Sequence, residues 1–134
     1  MTQPETTALS SLRDDILAGG QDDWVSMADV QGRIDRGRLA ELVADRQQLV
    51  VNTVRSLLLD GLIEVGVIPG RNSPGFKPWP GSTDEVMQRF TDLFVGQHGD
   101  PNKWEYAIWL NLTNKGERAS ADVIRKRSDR RAEH

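Results

Sequence analysis

Apolar residues near the start of the chain are spaced three or four positions apart, as in helices that bury one side. The first run follows Thr6 and Thr7, either of which can cap a helix, and it stops at the glycine pair 19–20. A second run begins after Ser26, whose hydroxyl can accept an N–H group of the first turn. Between the two runs, residues 24–25 predict a short extended segment.

The strongest helical pattern lies in residues 39–59. Four of its apolar residues fall on one face, which we expect to be buried: Val50, Val54, Leu57 and Leu58. Asp60 and Gly61 are typical of a helix end. Residues 62–68 then alternate, with Ile63, Val65 and Val67 on one side, which predicts a strand with one buried face.

The connection after this strand is predicted to be long and irregular. Residues 69–81 contain four of the six prolines, together with Phe76 and Trp79. Two large aromatic side chains in one loop are expected to fold back onto the body, because leaving both in water forfeits several kcal/mol of burial. Ser82 and Glu85 then have the spacing of a capping box and open a helix inserted between two strands.

A second strand is predicted at residues 104–112, paired antiparallel with the first. The alternation places Trp109 on one side and the large apolar residues on the other, namely Trp104, Tyr106, Ile108, Leu110 and Leu112. Thr113 caps a final helix that starts at Asn114 and frays into a basic tail.

The order of these elements resembles that of a winged helix domain. Residues 57–64 (LLLDGLIE) look like the passage from a recognition helix into the first wing strand, and residues 112–118 (LTNKGER) look like the ending of MarR- and PadR-type regulators. The chain is also similar to small uncharacterised actinobacterial proteins that have a Gly-Phe-x-Pro-Trp segment, here residues 75–79, and an Asp-Pro turn, here residues 100–101.

This resemblance implies an α+β, winged-helix-like fold with three N-terminal helices, a small antiparallel sheet and a C-terminal helix. One departure is that a wing is normally a short hairpin, whereas here the connection between the strands holds a complete helix. We expect a single domain at residues 6–119, a flexible N-terminus at 1–5, and a basic, partly helical or disordered tail at 120–134.

Charge is distributed unevenly along the 134 residues, whose net charge is −3. The last fifteen residues hold five basic and three acidic side chains, so the remainder holds twelve basic and seventeen acidic ones and carries −5. An acidic body gains no general attraction to phosphate, which argues against nucleic acid as a general partner. The absence of cysteine, of a signal sequence and of a long apolar run is compatible with a cytoplasmic protein without a membrane partner.

No pattern of residues in the sequence points to catalysis. The two histidines are His98 and the terminal His134, which do not have metal-ligand spacing, and neither a nucleophile elbow nor a phosphate loop is present. We therefore expect a protein that is not an enzyme and has no cofactor, no metal and no evident small-molecule substrate.

Two binding hypotheses remain open. On the third helix, Gln48, Asn52 and Arg55 lie opposite the core face and are side chains suited to base edges in the major groove. The cations expected to hold phosphates are Arg46, Arg71, Arg125, Lys126 and Arg127. A solvated helix face would have the same pattern.

The second hypothesis is a protein partner, bound by Phe76, Trp79 and Trp109. The alternative for Trp109 is burial beneath the inserted helix. We favour a non-catalytic protein-interaction module that binds another protein or its own copy as a homodimer, with a DNA-binding transcriptional regulator as the alternative.

Overall fold

The computed structural model describes residues 3–21, 24–37, 43–68 and 75–132. Within these ranges the chain is α+β, as predicted, with five α-helices and four short strands. The helices are α1 (Gln3–Gly19), α2 (Met27–Gly37), α3 (Val43–Leu59), α4 (Thr83–Phe94) and α5 (Asn114–Ala132). The strands are β1 (Val25–Ser26), β2 (Ile63–Val67), β3 (Lys77–Pro78) and β4 (Trp109–Leu112).

The four strands form one antiparallel sheet in the order β1-β4-β2-β3. The predicted pairing of the two longer strands is confirmed, with Val65 opposite Leu110 and Glu64 opposite Asn111. Strand β1, between the first two helices, pairs with β4, so that Ser26 lies opposite Trp109. Since paired residues share a face, the register defines one core face and one outer face of the sheet.

The core face of the sheet packs with the helices into one hydrophobic cluster. On α3 the predicted face is confirmed, because Val50, Val54 and Leu57 are fully buried and Leu58 packs against the cluster. Helix α3 contacts α1 on one flank and α4 on the other, and α1 also contacts α5. Helix α1 therefore lies between α3 and α5.

The tight turn that connects α3 to β2 depends on the backbone conformation of Gly61. Gly61 has φ 72°, a conformation that side chains other than glycine rarely adopt, and the N–H of Leu62 donates to the carbonyl of Leu57. Thr113, between β4 and α5, also holds this turn in place, because its hydroxyl donates to the carbonyl of Gly61 at 2.6 Å. The same hydroxyl accepts the N–H of Gly116 at 3.0 Å, which makes Thr113 the predicted cap of α5.

The inserted helix α4 begins as the sequence predicts. Ser82 accepts the N–H of Glu85 and the Glu85 carboxylate accepts the N–H of Ser82, both at 3.2 Å, so the capping box is complete. Towards the C-terminus of the chain, the predicted tail boundary at Ser120 falls inside α5. Ser120 is buried and its hydroxyl donates to the carbonyl of Leu17.

The predicted strand at residues 104–112 is wrong over its first half. Pro101 opens a 3₁₀ helix, and its carbonyl accepts the N–H groups of Trp104 and Glu105, so the chain turns there. Trp104 and Ile108 are buried as expected, but they are joined by a turn in which the N–H of Ile108 donates to the carbonyl of Trp104 at 3.3 Å. Tyr106, predicted to share their side, is 68% exposed.

Candidate functional site

The outer strip of α3 is the first candidate surface. Gln48 and Arg55 are exposed, and Asn52 between them is half-buried. The Gln48 amide donates to the Asn52 side-chain oxygen at 2.8 Å, so the two amides bond to each other. All three predicted base-reading residues therefore share one face, and the side chains of Gln48 and Asn52 are hydrogen-bonded to each other.

A cationic cluster surrounds the C-terminal end of α3. Arg13 of α1 contacts both the hydroxyl of Ser56 and the carboxylate of Asp60, the latter at 2.7 Å. Lys115 of α5 donates to the carbonyl of Asp60 at 2.8 Å. Arg55 and Asp60 line a depression of about 230 Å³, and Arg13 and Lys115 reach this end of α3 through their contacts with Asp60.

The other predicted phosphate-binding cations do not join this cluster. Arg46 lies nine residues from Arg55, about two and a half turns of α3, so it projects from the opposite side of the helix, where it is half-buried. Arg127 forms an ion pair with Asp15 at 2.7 Å and Arg125 pairs with Asp122 at 3.1 Å, while Lys126 is exposed beside them. All three lie on α5, which packs against α1. Arg71 lies outside the described residues.

Helix α4, which packs against α3, has an acidic exposed surface. Its exposed residues include Asp84, Glu85 and Asp92, against the single cation Arg89. A phosphate backbone that extended from α3 onto α4 would be repelled by these carboxylates.

The second candidate surface is built around an aromatic pair. The rings of Tyr106 and Trp109 have centroids 6.2 Å apart and are tilted by 47°. The indole N–H of Trp109 donates to the carbonyl of Tyr106 at 2.8 Å, which fixes the indole relative to the turn. Trp109 is half-buried, whereas Tyr106 is largely exposed.

Trp24 extends this surface. It is 38% exposed and lies two residues before Ser26, the sheet partner of Trp109, so strand alternation puts it on the outer face as well. Gly75 lies against its ring, since a Cβ atom built on Gly75 would be 3.3 Å from the indole. Half-buried Phe76 follows directly. We call Trp24, Phe76, Tyr106 and Trp109 the aromatic surface.

Trp79, the third residue predicted to bind a partner, is not on the aromatic surface. It is 7% exposed, its backbone N–H donates to the carbonyl of Val65, and the guanidinium of Arg89 lies 4.3 Å from its ring centroid. The alternation in the sequence instead predicts Tyr106 on a buried strand face, and residues 24–25 predict only a short extended segment. The Asp-Pro turn at residues 100–101 is the feature of the sequence that indicates a turn, and not an alternating strand, near Tyr106.

His98 belongs to a structural aromatic cluster. Its ring stacks on Trp104 with centroids 4.7 Å apart, its Nδ1 lies 2.9 Å from the carbonyl of Phe94, and its own carbonyl accepts the indole N–H of Trp104. Among the described residues, no group of three His, Cys, Asp or Glu side chains could hold a metal ion. In the same ranges, no helix has the length and apolar character needed to cross a bilayer.

The chain matches no protein-family model, no curated protein and no solved structure.

Proposed function

We propose that this protein is a non-catalytic protein-interaction module on a winged-helix-like scaffold, and that the aromatic surface binds its partner. The observation that carries the proposal is the pair of Tyr106, which is 68% exposed, and half-buried Trp109, whose indole N–H donates to the Tyr106 carbonyl. Exposed aromatic side chains that are already held in place lose little conformational entropy on binding and supply much of the energy at protein interfaces. The partner is another protein or a second copy of this chain.

The order of elements and the strand pairing support the winged-helix-like scaffold. A short strand between the first two helices pairs with the last strand, and the helix α3 leads directly into β2. In place of a short wing, the connection between β2 and β4 contains β3 and α4, and α4 packs on α3. This enlarged and acidic connection favours a protein partner over a phosphate backbone.

The test is site-specific photo-crosslinking. A benzophenone amino acid replaces Tyr106 in one protein and exposed Glu117 of α5 in a control. We expect a discrete adduct from position 106 only, which excess unlabelled wild-type protein suppresses and excess Trp109→Ala protein does not. Equal adducts from both positions, or equal suppression by the two competitors, would reject the aromatic surface as the interface.

Sedimentation equilibrium of the unlabelled protein separates the two kinds of partner. Self-association that Tyr106→Ala weakens identifies a second copy as the partner. A protein that stays monomeric up to about 100 µM, roughly the upper end of weak specific association, leaves a different protein as the partner.

A duplex-DNA regulator is the second candidate, favoured by the cationic cluster of Arg13, Arg55 and Lys115 at the end of α3. In a winged helix this helix is the one that enters the major groove. The ion-paired arginines of α5 and the carboxylates of α4 argue against it. The salt dependence of duplex binding tests this candidate.

A further inference from the structure

The depression near the C-terminal end of α3 has a lining of mixed chemistry. Its volume is about 230 Å³, and its walls include Asn52, Arg55, Ser56, Leu59 and Asp60. The first four recur at the spacing i, i+3, i+4 and i+7, so they share one face of the helix. The volume corresponds to roughly seven or eight water molecules at liquid density, which is room for a small organic molecule.

The polar side chains of this lining have hydrogen-bond donors that the fold does not use. The Asn52 side-chain oxygen accepts the amide of Gln48 at 2.8 Å, which leaves the Asn52 amide nitrogen to donate. The Ser56 hydroxyl oxygen accepts a guanidinium N–H of Arg13, which leaves its own O–H to donate. Neither of these two donors has an acceptor among the described residues, and the Arg55 guanidinium has no ion-pair partner among them. An incoming acceptor can therefore use these donors without breaking a hydrogen bond of the fold.

The charges around the depression favour an acceptor with one negative charge. Arg55 is an exposed cation in the lining, and the Lys115 ammonium reaches the same end of α3, where it donates to the carbonyl of Asp60 at 2.8 Å. The Asp60 carboxylate is paired with Arg13 at 2.7 Å, which compensates much of its charge. This carboxylate and the partial negative charge of a helix C-terminus still oppose a doubly charged anion such as phosphate. A carboxylate carries a single charge, and its two oxygens match the planar fork of a guanidinium.

Leu59 selects the other part of the ligand. Its side chain is 67% exposed and lies one helical turn after Arg55, so a hydrocarbon group attached to a carboxylate at Arg55 can cover it. We infer that this depression binds a carboxylate attached to a small aliphatic group, with the carboxylate paired to Arg55 and the aliphatic group packed on Leu59. The site shares no residue with the aromatic surface, so this inference and the proposed function stand or fall separately.

The experiment follows the arginine Nε–H signals of the folded protein by two-dimensional ¹H–¹⁵N NMR, at mildly acidic pH and constant ionic strength. The Arg55 signal is assigned from its loss in Arg55→Gln. Isovalerate is the probe, and isovaleramide is its neutral counterpart of matched shape. We expect isovalerate to shift the Arg55 signal in a saturable manner and to leave that of Arg125, which is paired with Asp122, in place. Isovaleramide is expected to bind at least about tenfold more weakly, because it lacks the charge that strengthens the hydrogen bonds to the guanidinium.

Three variants at exposed positions test the two halves of the site. Arg55→Gln removes the guanidinium and should weaken isovalerate binding at least about tenfold, as measured from the ligand methyl signal. Arg125→Gln on α5 is the matched control and should leave the affinity unchanged. Leu59→Ser removes the apolar contact, so isovalerate should then bind no more tightly than acetate, while the affinity for acetate stays that of the wild type.

The source of the carboxylate is tested with N-acetyl-leucine, which presents the same two groups as the C-terminus of a peptide. Tighter binding of N-acetyl-leucine than of isovalerate would assign the site to a peptide terminus, and weaker binding would assign it to a free acid; both results keep the pairing with Arg55. No saturable shift of the Arg55 signal, or unchanged affinity in Arg55→Gln, would overturn the proposal. Tighter binding of inorganic phosphate than of isovalerate would also overturn it and would favour a phosphate-binding role for these cations.

Discussion

Trp109 and Tyr106 hold each other through two different contacts, a hydrogen bond from the indole N–H to the Tyr106 carbonyl at 2.8 Å and a tilted ring contact at 6.2 Å. The hydrogen bond uses backbone of Tyr106, so replacing its side chain leaves that bond in place. The tyrosine ring can therefore be removed without dismantling the turn that carries it.

The first prediction uses this separation. Tyr106→Ala should change the free energy of unfolding by no more than about 0.5 kcal/mol, because the side chain is 68% exposed. Trp109→Ala should cost about 1 to 2 kcal/mol, since it loses a hydrogen bond and part of its buried area. Urea denaturation measures both. A loss for Tyr106→Ala as large as that for Trp109→Ala would mean that the tyrosine supports the fold.

The second prediction compares the same substitution at two buried tryptophans. Trp104→Phe should lower stability by about 1 to 3 kcal/mol, because it leaves the carbonyl of His98 without its donor. Trp79→Phe should cost at least about 1 kcal/mol less, because it removes a donor that has no acceptor among the described residues. Thermal or urea unfolding without added ligand gives the comparison. Equal losses at the two positions would contradict the assignment of Trp79 as unpaired.

Local signals made much of the fold predictable from sequence. The apolar face of α3 recurs at helical spacing from Val50 to Leu58, and the Ser82–Glu85 capping box is a local motif, so the sequence predicts both. Strands β1 and β3 have two residues each, too few for an alternating pattern to be recognised. The spacing of Trp104 and Ile108 fits a turn as well as a strand, and only the Pro101 turn distinguishes them.

The candidate site was less predictable because its contacts join distant parts of the chain. The position of Trp79 in a proline-rich stretch favours a surface anchor, whereas its burial depends on contacts with α4 and β2. The pairing of Arg127 with Asp15 spans most of the sequence. Neither contact has a local pattern.

The third prediction concerns the close approach of α5 to the start of β2. A Cβ atom on Gly116 would lie 1.9 Å from the carbonyl oxygen of Leu62, which also accepts the N–H of Thr113. Gly116→Ala should therefore cost about 1 to 3 kcal/mol, as expected for overpacking of backbone. The control is Gly99→Ala, since a Cβ atom there meets nothing within 4 Å. Differential scanning calorimetry should give the control a nearly unchanged melting temperature, and a similar loss in both variants would contradict the contact.

The last prediction separates the two candidate functions by the salt dependence of duplex binding. Each phosphate neutralised contributes about −0.9 to the slope of log K against log salt. Arg13 is paired with Asp60 and Lys115 is bonded to a carbonyl, so Arg55 is the least engaged of the three cations in the cluster. We expect no measurable duplex binding at physiological salt and, at low salt, a slope no steeper than about −2.

Two variants show which cations contribute to this slope. Arg55→Ala should remove about half of it, whereas Arg125→Ala on α5 should leave it unchanged, because Arg125 is paired with Asp122. A slope of about −5 or steeper, or tight binding at physiological salt, would require converging cations and would favour the DNA-binding regulator over the protein-interaction module.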